Sequence, residues 1–187
     1  MPWNRPAGAV IVPLHFGTAM APHTDGAAAR HEPLRLTGGC HCGNLELTFE
    51  TRRQPGEMAV RACGCSFCRR HGVRTVSDPD GRVEFLVRDP LRLSRYRFAL
   101  ATAEFLICRT CGVYVGALMA DAGSAYAIVN INALAMPGLF TQSALAVSYD
   151  QESTAERRGR RRTRWTPAVM IEQSDRGRAA ELGGPTR

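Results

Sequence analysis

Seven cysteines in three clusters carry most of the chemistry that this sequence offers. The densest cluster places three thiols within six residues, Cys63, Cys65 and Cys68. Two pairs flank it along the chain, Cys40/Cys42 and Cys108/Cys111. Thiols this close in sequence make poor disulfides, and an odd number would leave one unpaired. We therefore expect the thiols to bind metal in a reducing, cytoplasmic compartment, with zinc as the first candidate.

Spacing alone does not decide how the seven thiols are divided. Four thiolates make a closed structural zinc site, whereas three leave an open position of the kind that catalytic zinc uses. The segment Cys108-x-x-Cys111-Gly112 has the pattern of a zinc knuckle, in which Gly112 allows a positive φ. We favour a division into four plus three, because Cys63, Cys65 and Cys68 already form a local set. The two outer pairs would then complete one tetrahedron, for two zinc ions per chain.

Two other interpretations remain for these cysteines. The outer pairs could be buried free thiols, although both precede a glycine that is typical of a knuckle turn. The three-thiol cluster could be a second structural site, completed by His41 or His71 as the fourth ligand.

The sequence predicts a mainly β fold with few short helices. Alternating or continuous apolar residues indicate strands at 44–50, 58–62, 83–87 and 126–132. Residues 104–119 indicate a hairpin whose tip is the knuckle at 108–112. Residues 66–71 could form one helical turn, and a slip in apolar parity predicts a β-bulge near Ser94 and Arg95.

Length and composition indicate one zinc-binding β domain at 34–172. The chain has 187 residues and a net charge of +7, and its 24 basic residues are all arginine. Residues 1–33 show no clear period, so we interpret them as a disordered extension rather than a signal peptide. Residues 173–187 are interpreted as a disordered tail. The sequence has no apolar run of the length that a membrane-spanning helix needs, so we expect no membrane association.

A basic run late in the chain has two interpretations. Six arginines lie within eight positions between Arg157 and Arg164, followed by Trp165. The run could bind nucleic acid or another polyanion. We favour a solvated loop in an arginine-biased composition, because aromatic residues are not interleaved with the charges.

The order and spacing of the cysteines resemble one known family. The resemblance covers roughly residues 35–170 and rests on three strings. They are Gly39-Cys-His-Cys-Gly43, Cys63-x-Cys-x-x-Cys-Arg-Arg-x-Gly72 and Phe105-x-x-Cys-x-x-Cys-Gly112. Together they are similar to the glutathione-dependent formaldehyde-activating enzymes, a family that includes centromere protein V-like members. Gly64 and His71 depart from the residues common in that family.

This resemblance implies a fold, a ligand set and an activity. The fold would be Mss4-like, with zinc-ribbon-like antiparallel sheets. Cys40, Cys42, Cys108 and Cys111 match the family's structural zinc ligands, and Cys63, Cys65 and Cys68 match its catalytic zinc ligands. The implied activity is that of a carbon–sulfur lyase, which makes or breaks S-(hydroxymethyl)glutathione from glutathione and formaldehyde.

Two hypotheses about function follow. The first is an enzyme that acts on a small thiol–aldehyde adduct, with Arg69 and Arg70 either holding a substrate carboxylate or forming a solvated surface pair. The second is a non-catalytic zinc module that binds protein or nucleic acid through the basic run Arg157–Arg164. We favour the enzyme and consider a nucleic-acid partner unlikely.

Overall fold

The computed structural model describes residues 32–173, which contain eleven strands and two α-helices. The strands are β1 Leu34–Gly39, β2 Leu45–Thr51, β3 Arg61–Cys63, β4 Thr75–Val76, β5 Arg82–Val87, β6 Leu93–Tyr96, β7 Glu104–Cys108, β8 Tyr114–Asp121, β9 Ser124–Asn130, β10 Leu145–Val147 and β11 Thr166–Glu172. The helices are α1 Ser66–Arg70 and α2 Thr154–Arg164, and short 3₁₀ turns occupy Pro55–Glu57, Pro90–Arg92, Ile131–Ala133 and Pro137–Leu139. The predicted mainly β fold with few short helices is confirmed.

The strands form one mixed sheet that branches at β9. The main path runs β1-β2-β5-β11-β9-β4-β3-β10, and a branch runs from β9 through β8 and β7 to β6. Most neighbours are antiparallel, as predicted, whereas β3 with β10 and β5 with β11 are parallel. Strand β11 joins the two parts of the sheet: its first two residues pair with β9 and its last five pair with β5.

Two hairpins present the outer cysteine pairs at their turns. Cys40 and Cys42 lie between β1 and β2, and the turn between β7 and β8 carries Cys108 and Cys111. The third cluster lies where β3 runs into α1. The predicted hairpin with the knuckle at its tip is therefore present, as is the predicted helical turn.

The prediction of a β-bulge near Ser94 and Arg95 is wrong. Strand β6 pairs with β7 in a regular register, and the irregularity lies in the pairing of β7 with β8, between Leu106 and Ile107. The parity slip has another cause. Leu93 is buried on one face of β6, while Tyr96 is 44% exposed and stacks on Phe67. Both faces of this strand therefore contact apolar groups.

The basic run is a helix, which corrects the prediction of a solvated loop. Ser153 caps α2: its Oγ accepts from the Glu156 N–H, and the Glu156 carboxylate accepts from the Ser153 N–H. This reciprocal capping box fixes the first turn of α2. The helix ends at Arg164, directly before Trp165 and β11.

The core links the sheet to the first thiol site. Phe49, Phe85 and Leu106 are almost fully buried in one cluster. Cys40 and Cys108 belong to the same cluster. Two of the outer thiols are therefore part of the core and not additions at its surface.

The predicted ends of the domain are largely outside the described residues. Of the predicted extension 1–33 and tail 173–187, only residues 32, 33 and 173 are described. Within 32–173, no helix has the length and apolar character needed to cross a membrane.

We expect substitutions at the N-cap and at the interior glycine of α2 to change the stability of the protein in opposite directions. Ser153→Ala removes the oxygen that accepts from Glu156, so we expect a loss of about 1 kcal/mol. A methyl group added at Gly159 would meet open space, and this residue has no positive φ, so Gly159→Ala should gain about 0.5–1 kcal/mol. Thermal unfolding of the zinc-saturated variants measures both. If the two changes shift the midpoint in the same direction, the capped helix is not formed as described.

Candidate metal centres

The four outer thiols converge on one point. The Sγ atoms of Cys40, Cys42, Cys108 and Cys111 all lie within 4.8 Å of one another. The Cys40–Cys42 and Cys42–Cys108 sulfur separations are 3.7 and 3.4 Å. A tetrahedral zinc with Zn–S bonds of about 2.3 Å would place its sulfurs about 3.8 Å apart. The donor set and its spacing therefore fit a structural zinc.

Both turns of this site have knuckle geometry. Gly43 and Gly112 follow the second cysteine of each pair with φ of 78° and 74°. This confirms the positive φ predicted at Gly112. The Gly43 N–H donates to the Cys40 carbonyl, and the Gly112 N–H donates to the Cys108 carbonyl. The Leu45 N–H also donates to the Cys40 sulfur at 3.1 Å, which stabilises a thiolate there.

The connection from β5 to β6 brings the two turns together. Strand β5 pairs with β2, and β6 pairs with β7, so residues 88–92 cross from one hairpin to the other. Asn44 fixes this crossing because its side-chain oxygen accepts from the Asp89 N–H and its amide donates to the Asp89 carbonyl. The Arg109 N–H in the second turn donates to the Arg92 carbonyl at 2.8 Å.

Two of the outer thiols, Cys40 and Cys111, differ widely in pKa. Burial raises the pKa of Cys40 to about 12. Burial also acts on Cys111, but hydrogen bonds from the N–H groups of Val113 and Cys42 and from the thiols of Cys108 and Cys42 together outweigh it and lower the pKa of Cys111 to about 6. One thiolate therefore forms readily, whereas a full set of four needs a cation to balance it.

The remaining three thiols form a second group. The Sγ atoms of Cys63, Cys65 and Cys68 lie within 4.8 Å of one another. The structure thus groups the seven thiols as four and three. Cys65 is the N-cap of α1, and its sulfur accepts from the Cys68 N–H at 3.4 Å. The Gly64 N–H donates to the Val147 carbonyl, which ties the cluster to β10.

Within the second group, the pKa values of Cys63 and Cys68 are shifted in opposite directions. Their mutual hydrogen bond is the largest cause: it lowers the pKa of Cys63 to about 6 and raises that of Cys68 far above its ordinary value. As in the first group, a set of three thiolates needs a cation.

In residues 32–173, the second group has no fourth protein ligand. No histidine nitrogen or carboxylate oxygen of this part of the chain joins the three sulfurs within 4.8 Å. His41 belongs to neither thiol group, and His71 instead lies against the Phe67 ring at 4.4 Å. The interpretation of a closed site completed by His41 or His71 is therefore not supported.

An aromatic cluster holds the second group in place. Phe67 lies between Cys65 and Cys68 in sequence. The centroid of its ring lies 4.8 Å from that of Phe105 and 5.2 Å from that of Tyr114. Phe105 and Tyr114 belong to the β7–β8 hairpin, which also carries two ligands of the first site. The positions of the two thiol groups are therefore linked through one hairpin.

A pocket adjoins the second group. Cys63, Cys68 and Tyr114 line it together with three arginines, Arg61, Arg160 and Arg161. The rest of the wall is mostly apolar or aromatic, from Phe105, Ala117, Ile128, Val147 and Trp165. Its cavity volume is about 70 Å³. At roughly 10–15 Å³ per water, this is room for about five to seven heavy atoms.

The arginines of the pocket are not the ones that the sequence suggested. Arg69 and Arg70 lie on α1 with exposed side chains and do not line the pocket. Sequence reasoning missed Arg61, and it placed Arg160 and Arg161 in a solvated basic run and not beside the thiols. One signal was present for Arg161, since Ser153 followed three residues later by Glu156 predicts a helix start before the basic run.

Comparison with known proteins adds no function. No family model matches this chain. The chain is similar to a Rhodobacter sphaeroides protein whose crystal structure was a Northeast Structural Genomics target. The sequence identity is 36%, the match covers 53% of this chain and 87% of that chain, and the TM-score is 0.40.

The two thiol groups should respond differently to loss of one ligand. We expect two zinc ions per chain by elemental analysis of the purified protein. Cys111→Ser should unfold the domain, because a structural zinc can contribute about 10 kcal/mol of apparent folding free energy. Cys65→Ser should lose one zinc and keep the β-sheet circular dichroism of the parent. If Cys65→Ser unfolds the protein as completely as Cys111→Ser does, the second group is structural.

Proposed function

We propose that this protein is a zinc-dependent carbon–sulfur lyase of the formaldehyde-activating type, which makes or breaks a small thiol–aldehyde adduct. The observation that carries the proposal is the group Cys63, Cys65 and Cys68, which has three converging thiols and, in residues 32–173, no fourth ligand. A pocket adjoins these thiols. A closed structural site would need neither feature.

The reaction needs no redox cofactor. In the forward direction the sulfur of a thiol adds to the carbonyl carbon of an aldehyde. A C–S bond forms, the C=O π bond breaks, and the thiol proton moves to the oxygen. A zinc held by three thiolates would supply a position at which a substrate thiol is deprotonated or a carbonyl oxygen is polarised.

The chain's own residues would prepare the site. The Cys68 N–H donates to Cys65 Sγ and so supports negative charge on that sulfur. Phe67 and Phe105 pack against the thiol group and place aromatic surface beside it. Burial and the neighbouring thiolates raise the pKa of Tyr114 well above its ordinary value. Its phenol therefore keeps its proton at neutral pH and can donate a hydrogen bond to a substrate oxygen in the pocket.

The alternative, a binding module that uses the basic run, has less support. Five of the six arginines in the run make contacts within the domain. Arg158 and Arg162 pair with Asp121, Arg157 and Arg160 pair with Glu152, and Arg161 donates to Thr102. Two carboxylates offset part of the charge of four of these arginines, which leaves less free positive charge for phosphate contacts. We therefore propose a small-molecule partner, glutathione or another thiol with an aldehyde, in the cytoplasm, and no nucleic-acid partner.

The activity can be tested against its uncatalysed background. Exchange between glutathione plus formaldehyde and their hydroxymethyl adduct is followed at equilibrium by NMR exchange spectroscopy, with and without zinc-loaded protein. We expect the protein to accelerate exchange about tenfold or more over the blank, since positioned acid–base and metal assistance commonly contribute at least that much.

This test includes one variant that should be inactive and one control variant. Cys65→Ser should return exchange to the blank rate, because one of the three converging thiols is lost. Ser66→Ala is the matched control: it changes the adjacent, exposed residue, keeps all three thiols and should retain the parent rate. A parent protein that leaves the blank rate unchanged would refute the proposal for this substrate pair. An active Cys65→Ser protein would refute the role of the three-thiol group.

A further inference from the structure

Arg161 is a buried cation without an acidic partner in residues 32–173. Its residue is 7% exposed and lines the pocket beside Cys63 and Cys68. One terminal nitrogen donates to Thr102 Oγ1 at 2.7 Å, and the guanidinium carbon lies 4.5 Å from the centre of the Trp165 ring. Its Nε is buried and has no hydrogen-bond partner. Burying an unpaired charge in this way is costly unless something else in the pocket compensates it.

Arg61 is a second cation in the same pocket. It lies two residues before Cys63 in β3, so both side chains project from one face of the strand. Its side chain donates to Ser77 Oγ, and no carboxylate of the described chain forms an ion pair with it. By contrast Arg160, which also lines the pocket, makes a two-nitrogen contact at 2.6 and 2.9 Å with Glu152, a carboxylate that it shares with Arg157.

The charges of the pocket do not balance. Three thiolates around one divalent ion leave a charge of −1, and Arg61 and Arg161 together contribute +2. Burial lowers the pKa of Arg161 to about 10, so it stays protonated at neutral pH. Asp150 acts on Cys63 electrostatically, but its side chain accepts from Ser148 Oγ at an exposed position and does not line the pocket. At least one positive charge is therefore left, which the carboxylate of a ligand would offset.

We propose that the pocket binds the carboxylate of a small substrate through the guanidinium groups of Arg161 and Arg61. This inference rests on the proposed function and names its substrate class, an adduct whose thiol or aldehyde component bears a carboxylate a few atoms from the C–S bond. Arginine forks match carboxylate oxygens, and the free Nε of Arg161 offers a donor for one of them.

The size of the pocket limits this class. A volume of about 70 Å³ suits a two- or three-carbon acid, such as a mercapto acid or the aldehyde acid glyoxylate. A tripeptide thiol could place only one end there. As before, the thiol sulfur bonds to the carbonyl carbon and its proton moves to the oxygen, while the carboxylate stays ionised and unreacted.

Binding tests this without relying on activity. Calorimetry of the zinc-loaded protein compares 3-mercaptopropionate with the neutral 2-mercaptoethanol, and zinc content is measured after each titration. A second arm compares glyoxylate with acetaldehyde in saturating 2-mercaptoethanol. We expect one arm to show a carboxylate advantage of about 10- to 100-fold in Kd, the range of charge-assisted hydrogen bonds. The arm that shows the advantage identifies which component carries the acid.

Variants assign the advantage to the pocket. Arg161→Met should abolish it. Arg61→Met, at a half-buried position, should reduce it and serves as the test if Arg161→Met does not fold. Arg162→Met is the matched control: it removes a neighbouring arginine that pairs with Asp121 and does not line the pocket, so the advantage should remain.

The outcomes separate this inference from the proposed function. Equal affinity for acids and neutral analogues in both arms overturns the inference, as does an equal loss in Arg162→Met and Arg161→Met. The proposed function fails separately if, in cobalt-substituted protein, neither the thiols nor the aldehydes change the visible spectrum of the three-thiol site. A carboxylate advantage that disappears in Arg161→Met would support the anion pocket even then.

Discussion

Mutual repulsion among converging thiolates is the constraint on which this structure depends. Cys40 and Cys108 are buried in the same cluster as the main hydrophobic core, and their sulfurs lie with those of Cys42 and Cys111 around one point. Sulfurs so close cannot all ionise without a cation between them. A bound metal would convert this repulsion into a cross-link between hairpins that are far apart in sequence. The β5–β6 crossing, held by Asn44, brings those hairpins close enough for such a cross-link.

The second thiol group is subject to the same repulsion among converging thiolates. It shares the β7–β8 hairpin with the first group through the contacts of Phe67 with Phe105 and Tyr114. A rigid four-thiol site thereby supports a three-thiol site beside it. In the described chain the three thiols have a pocket beside them in place of a fourth ligand, and the helix after the capping box at Ser153 supplies that pocket with Arg161. Under the proposed function, the four-thiol group would serve stability and the three-thiol group reactivity, at separate positions on one sheet.

Much of this arrangement could be predicted from local sequence. The knuckle turns, the positive φ at Gly112 and the main strands follow from short-range rules that spacing and alternation express. The thiol grouping was favoured on chemical grounds. The parallel pairing of β11 with β5 and the placement of Arg61 beside Arg161 were not predictable in this way, because residues about 100 apart meet there only through the tertiary fold. The helix at Thr154–Arg164 was missed although its cap was visible, since charge composition was weighed above capping.

The central claim is that one thiol group closes around its metal and the other leaves a position open. A crystal structure of the zinc-loaded protein, with data collected at the zinc absorption edge, tests it most directly. The account predicts two anomalous peaks per chain. One should be bound by Cys40, Cys42, Cys108 and Cys111, and the other by Cys63, Cys65 and Cys68 with a water or small molecule as the fourth ligand. A single peak, or a protein side chain in that fourth position, would contradict it.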